Sequence, residues 1–283
     1  MVLEALQTPF SAENKPFRMF FFGMIYASVG SWLALWIFRE YSSLIMVFLT
    51  TMACIPLVYN TIRLEEKKDV EELSERVLLK EHGKALSYFM WLFAGMVVAG
   101  AIWFAVLPTD TVSTLFESQL ATYRSLSPTT GNAIQASITQ FNFIFLNNVQ
   151  VLIFCVLFSF LYGAGAIFIL TWNASVIAVA IGDFIRRGLS ITANLVGADR
   201  WGQYFSTITI GFLKYVIHGV PEILAYFTAG LAGGIISVAV IKHDFGTKSF
   251  EHILLDSADL ILLSLLLLFV AAILEVFVTP VVF

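Results

Sequence analysis

Apolar runs of membrane-crossing length recur from one end of the chain to the other, and this recurrence constrains the fold more than any other feature. A helix needs about 20 apolar residues to cross the hydrocarbon core of a bilayer. Six runs reach or approach that length, near residues 18–38, 43–59, 86–107, 149–171, 220–240 and 258–281. Two shorter runs, 174–185 and 205–217, are each about half a crossing long. The expected fold is therefore all-α: a polytopic membrane bundle of about six transmembrane helices plus two half-length helices, re-entrant or interfacial. Composition agrees, since 59% of residues are apolar and 13% charged, where a soluble domain carries about 25% charged residues. The first apolar run begins near Phe17 and is long enough to span, so it reads as a membrane helix rather than a cleavable signal.

Lys and Arg in short loops set the orientation. Residues 60–86 hold Arg63, Lys67, Lys68, Arg76, Lys80 and Lys84, whereas 108–148 hold only Arg124. The first stretch is expected in the cytoplasm, with the N-terminus beside it, and the second outside. Arg186, Arg187 and Arg200 then suit an inner-face position for 186–204. Within the cytoplasmic stretch, 60–85 reads as a charged helical hairpin, solvated, with Leu64, Val70, Leu73 and Val77 as its apolar stripe and Gly83 as a C-terminal cap. In the external stretch, Ile134, Ile138, Phe141 and Phe145 fall on one face, which predicts a helix lying in the outer interface. The chain divides into an N-terminal membrane region of three spans, 1–131, and a C-terminal membrane region, 132–283, with a broken helix at 218–222.

The break is expected at HGVPE, inside the apolar stretch from Phe205 to Val240. As one straight helix that stretch would run roughly 54 Å, against a core of about 30 Å. Gly219 relieves the backbone, and Pro221 suits the first turn of a new helix. His218 and Glu222 then complement the two facing helix ends. That junction accounts for all four residues without any activity, either at the interface or at membrane depth. At depth, ionisable side chains are costly and face a bundle interior or a cavity. Glu275, apolar on both sides for more than two turns, raises the same question. The candidate site is an intramembrane polar cluster of Asn147, Asn148, Asn173, His218, Glu222 and Glu275. Gly230 with Gly234, and Ser159 with Gly163, have the small-xxx-small spacing of close helix packing, as do Gly23, Ala27 and Ser31.

Motifs for chemistry are absent. HGVPE lacks the HExxH spacing of zinc peptidases, no GxSxG elbow occurs, and no phosphate-binding loop is present. The EELSER segment at 71–76 matches EExxxR, the pattern of CAAX-type membrane proteases, but lies in the charged hairpin. One His–Glu pair is too few ligands for a metal. No catalytic residue, metal or cofactor is expected, and the chain is not read as an enzyme. Cys54 and Cys155 sit in apolar runs as small buried hydrophobes. A net charge of −4 offers nothing to nucleic acid.

The C-terminal half presents, in order, FLNNVQ, WNASVIAVAIGDFI, HGVPEILAYFTAGLAGG and AAILEVFVTP. Over residues 140–281 it resembles the stage II sporulation protein M family of prokaryotic membrane proteins, including its non-sporulation members. The matching features fall on Asn148, His218, Gly219, Glu222, Gly230, Glu275 and Pro280. The resemblance implies a cell-membrane scaffold or complex subunit of unassigned activity, with the bilayer and other membrane proteins, or copies of itself, as partners. The runner-up is a transporter or channel for an ion or small solute, using Glu222, Glu275 and His218.

Overall fold

The computed structural model describes residues 15–70, 75–125, 133–162, 164–191, 197–242 and 246–282, and these are helical almost throughout. The helices are α1 (Arg18–Ile37), α2 (Ser42–Val70), α3 (Glu75–Val106), the short α4 (Thr109–Leu115) and α5 (Glu117–Ser125), α6 (Ala133–Tyr162), α7 (Ala166–Ile191), α8 (Gly197–Ile241) and α9 (Lys248–Ile273). A π-helical segment, Leu274–Val278, and a last α-turn, Thr279–Val282, continue α9. Seven of these helices are long and apolar enough to cross a membrane. The all-α polytopic bundle is as expected, but three boundaries differ from the sequence reading.

The run 149–171 is not one helix. Helix α6 ends at Tyr162 and α7 starts at Ala166. At the turn, a Cβ on Gly165 would lie 2.2 Å from the Phe158 carbonyl oxygen, so the chain folds back on itself only without a side chain there. The apolar GAGA sequence conceals that turn from a hydropathy reading. The half-length run 174–185 is the second part of the full crossing α7. Helix α6 also absorbs the segment expected to lie in the interface: Phe141 and Phe145 pack edge-on against Phe269 of α9.

The third difference concerns the expected helix break at Gly219 and Pro221, which is absent. Helix α8 runs unbroken through both residues for 45 residues. Pro221 has no N–H for the Ile217 carbonyl, a single lost bond. A full interruption in hydrocarbon would leave several backbone groups without partners, so continuity wins. A Cβ on Gly219 would meet nothing within 4 Å. Gly83 likewise does not cap a helix but lies inside α3.

Close approaches fix the packing. Gly23 of α1 would place a Cβ 2.0 Å from the Leu92 carbonyl oxygen, and Gly95 of α3 would place one 2.0 Å from that of Phe20. The backbones are in contact at this level, a reciprocal arrangement that requires both glycines, and the pairs Phe17–Trp91 and Trp32–Trp103 show that α1 and α3 run parallel. Gly100 meets Ala178, and Gly182 meets Phe104, so α3 and α7 are also parallel. Helices α7 and α8 are antiparallel, with Gly188 on Thr207, Gly211 on Phe184 and Gly230 on Ala166. One continuous apolar core joins Met19 of α1 to Leu268 of α9.

Arg186 closes one end of this core. Its guanidinium donates to the Phe104 and Leu107 carbonyls, each at 3.2 Å, and to Thr109 Oγ1 at 2.8 Å. It thereby satisfies carbonyls exposed where α3 ends. This also corrects an expectation: 186–191 lie at the end of the bundle that carries α4, opposite the charged hairpin rather than beside it. The missed α6–α7 turn had shifted the parity of the crossings by one.

At the other end, α2 and α3 extend past the start of α1. This projection is less solvated than its charges suggest. Glu65 and Glu66 are both 0% exposed and His82 is 3% exposed, whereas Leu64 of the expected apolar stripe is only half-buried. Val70, Leu73 and Val77 have side chains outside the described set. Glu65 accepts from Lys68 and faces His82 Nδ1 at 2.7 Å. Lys242, just beyond α8, pairs with Glu66 and ties the hairpin to the end of that helix.

Candidate functional site

The antiparallel register of α7 and α8 gives the depth of the polar residues. Gly230 is level with Ala166, where α7 begins, and Thr207 is level with Gly188, near its end. The 22 residues between those levels on α7 span about 33 Å, one bilayer core. His218 falls almost midway between Thr207 and Gly230 along α8, and Glu222 lies one turn closer to Gly230. The two ionisable groups are therefore in the middle of the crossing, not at the interface.

Helix α9 returns alongside and supplies the opposite wall. His218 Nδ1 lies 3.3 Å from Thr279 Oγ1. Thr279 donates to the Leu274 carbonyl at 2.9 Å, which leaves its oxygen able to accept from His218 in the tautomer protonated at Nδ1. Tyr226, one turn from Glu222 on the same face, donates to Glu222 Oε1 at 3.0 Å. Glu275 stands near enough to Glu222 to interact electrostatically. Among the described residues, no hydrogen bond or ion pair reaches the Glu275 carboxyl. It sits in the π-helical segment Leu274–Val278. Such segments widen the helix, misalign its backbone bonds and concentrate at functional sites.

Of the six candidate residues, His218, Glu222 and Glu275 come together. The asparagines keep to local bonds. Asn173 donates to the Ile169 carbonyl of its own helix at 2.9 Å. Asn148 is buried, and exposed Asn147 reaches it with a long 3.5 Å contact. Tyr226 and Thr279 were not picked out as members of the site from the sequence. The i,i+4 spacing from Glu222 was a usable signal for Tyr226. Thr279 had none, because its role depends on helix pairing.

The small-residue seam borders this site. A Cβ on Gly230 would lie 2.9 Å from Ala166 Cβ and 3.6 Å from Ser159 Oγ. The second close approach is made by Gly233, whose Cβ would lie 2.5 Å from the Val156 carbonyl oxygen. Gly234 is helical and buried. Gly163 lies outside the described residues. The Ser159 hydroxyl accepts from the Ala166 N–H at 3.3 Å, bridging the α6–α7 turn. Two small cavities are present elsewhere. One, of about 20 Å³, lies beside Ser159 and Phe89; the other, of about 30 Å³, lies between Ser31, Thr50 and Thr171. Each has room for a single water, and neither is lined by His218, Glu222 or Glu275. Among the described residues, no group of three or more His, Cys, Asp or Glu side chains is placed to hold a metal.

Comparison with known proteins gives one match: the family model for Stage II sporulation protein M covers residues 85–280. That match begins in α3, earlier than the resemblance read from the C-terminal motifs, and takes in most of the chain. No curated protein and no solved structure matches significantly. The chain belongs to the Stage II sporulation protein M family and is an integral membrane protein with several membrane-crossing helices.

Proposed function

We propose that this member of the Stage II sporulation protein M family is a scaffold subunit of a membrane complex, holding other membrane proteins rather than converting or moving a substrate. The packed interior carries this reading. Glycine-mediated backbone contacts close the α1–α3 and α6–α8 seams, and the small cavities beside Ser159 and beside Thr50 each have room for about one water. Long apolar faces remain outward, above all on α6, α1 and α9, where 22%, 28% and 28% of the most apolar stretch is buried. A chain so built offers surfaces rather than a path. It is not an enzyme on this reading, and its partners are lipid together with other membrane proteins or further copies.

Extraction from native membranes in a mild detergent tests the reading. A particle heavier than the 31.5 kDa chain with its detergent belt is the expected result, with other membrane proteins in fixed ratio. A particle of the chain alone would overturn it. The mid-depth polar group favours one second reading, transport of a proton or small cation through Glu222, Glu275 and His218. Ion flux into liposomes holding the purified chain, abolished in Glu222→Gln and Glu275→Gln, would establish transport instead.

We place the N-terminus and the 60–85 hairpin in the cytoplasm, because the hairpin carries six Lys and Arg residues and 108–148 carry one. Single cysteines introduced at Lys80 and Arg124 test this. A membrane-impermeant thiol reagent applied to intact cells is expected to label the second and spare the first.

A further inference from the structure

Glu275 has no hydrogen bond or ion pair among the described residues, and its surroundings do not suit an ionised carboxylate. The π-helical segment that carries it packs against α6 and α8. Helix α6 holds no Asp, Glu, Lys, Arg or His. Helix α8 brings Glu222, close enough to interact electrostatically, together with Tyr226 and His218. The donors here are turned elsewhere. The Tyr226 hydroxyl is given to Glu222 and the Thr279 hydroxyl to the Leu274 carbonyl, while His218 Nδ1 faces Thr279. The nearest cation on α8, Lys214, lies two turns from Glu222 with its ammonium over the Phe184 ring at 5.9 Å. On α9 the next ionisable residue is Asp259. An ionised carboxylate can only accept, and in an apolar site without donors it takes up a proton instead. A second carboxylate alongside acts in the same direction. Glu222 has the tyrosine donor and is suited to carry the charge; Glu275 is suited to carry the proton.

Among the described residues, polar groups lead from this pair to water on one side only. Toward the α4 end, the His218 ring meets the Tyr215 ring with centroids 6.3 Å apart. The Tyr215 hydroxyl is hydrogen-bonded with that of Tyr123 on α5 and stands near Asp183 and Arg187. The Arg187 side chain is 71% exposed. Toward the hairpin the way is closed. Residues 225–235 of α8 are all buried, Thr228 is bonded to the Leu224 carbonyl, and Gly230 and Gly233 set α8 hard against α7 and α6. Between Asp259 and Glu275 the one polar side chain of α9 is Ser264, wholly buried and bonded to the Ile261 carbonyl.

We infer that Glu275 is a proton-binding site: its carboxyl is the neutral acid, Glu222 beside it holds the charge, and the proton exchanges with water at the α4 end by way of His218, Tyr215 and Tyr123. The ligand is the proton itself. This goes beyond the scaffold reading, which needs no titrating group, and differs from transport, which needs access from both sides. It makes the contact between α8 and α9 responsive to pH on one face of the membrane.

Closed vesicles of one orientation, holding the full chain, test the inference with pH set separately on the two faces. The probe is dicyclohexylcarbodiimide, which crosses the bilayer and adds to a carboxyl only in its protonated form. The expected adduct maps to Glu275. Its yield falls at least about tenfold when pH on the α4 face is raised from about 6 to about 9 with the hairpin face held constant. Raising pH on the hairpin face alone is expected to leave the yield unchanged. In the purified chain, an infrared band of a protonated carboxyl is expected to vanish in Glu275→Gln. In Glu222→Gln that band is expected to titrate about one pH unit lower, because the neighbouring charge is gone. No adduct at Glu275, no such band, or a yield that ignores the α4 face would each overturn the proposal. A yield that follows both faces would overturn it in favour of transport. Particle mass in mild detergent reads the scaffold independently: a chain that runs alone removes the scaffold and leaves the proton site standing.

Discussion

Two regions of this protein bury carboxylates, and they treat them in opposite ways. In the hairpin projection, Glu65 and Glu66 are wholly buried, yet each meets a cation or an imidazole, and Lys242 comes 176 residues along the chain to supply one. At mid-membrane, Glu222 is bonded to one tyrosine and Glu275 to nothing among the described residues. The hairpin carboxylates act as ties, because a buried charge holds its partner tightly when removal of either leaves the other stranded. The membrane pair is not arranged to stabilise the free chain. Charge kept against stability is what a site built for a partner or an ion requires.

The contrast is open to attack by mutation, and the largest effect belongs to the tied region. His82→Ala leaves Glu65 with Lys68 alone and is expected to lower stability by about 3 kcal/mol, read from denaturant unfolding in detergent. Lys242→Ala strands Glu66 and frees the hairpin from the end of α8. Because Lys242 keeps some contact with water, the expected loss is smaller, about 2 kcal/mol. Protease cutting between residues 70 and 75 is expected to speed up in that variant, and unchanged cutting would show that the tie is idle. In the membrane region, Thr279→Val removes one bond to the Leu274 carbonyl and the contact with His218, for about 1 kcal/mol. Glu275→Gln comes last: its melting midpoint is expected to stay level or rise. A clear fall would mean that Glu275 is tied within the fold after all, and the contrast between the two regions would collapse.

The crossings were legible because hydrocarbon permits so few solutions. A run of 20 apolar residues has to be a helix, whatever its propensities. Where the reading failed, hydropathy was silent. Gly165 is as apolar as its neighbours, so the α6–α7 turn did not show, and with it went the side on which Arg186 lies. Pro221 and Gly219 are helix breakers in water, and they suggested a break that the membrane suppresses. The charged residues of the hairpin looked solvated because sequence alone does not show that Glu65 faces His82 or that Lys242, just beyond α8, reaches Glu66.

The candidate site divides in the same way. That His218, Glu222 and Glu275 are anomalous was plain from their apolar surroundings, and the family followed from motif order. Their depth was not, since one stretch of α8 is compatible with either position until its neighbours fix the register. Nor was the difference between them: Glu222 meets Tyr226 along its own helix, a spacing written in the sequence, while the isolation of Glu275 depends on which donors α8 brings across and where they are already bound. Sequence determined the helices and the sign of each charge, because both are local properties of the chain. Tertiary structure decided which charges are paired, because pairing depends on registers between helices far apart in sequence and set by glycine contacts.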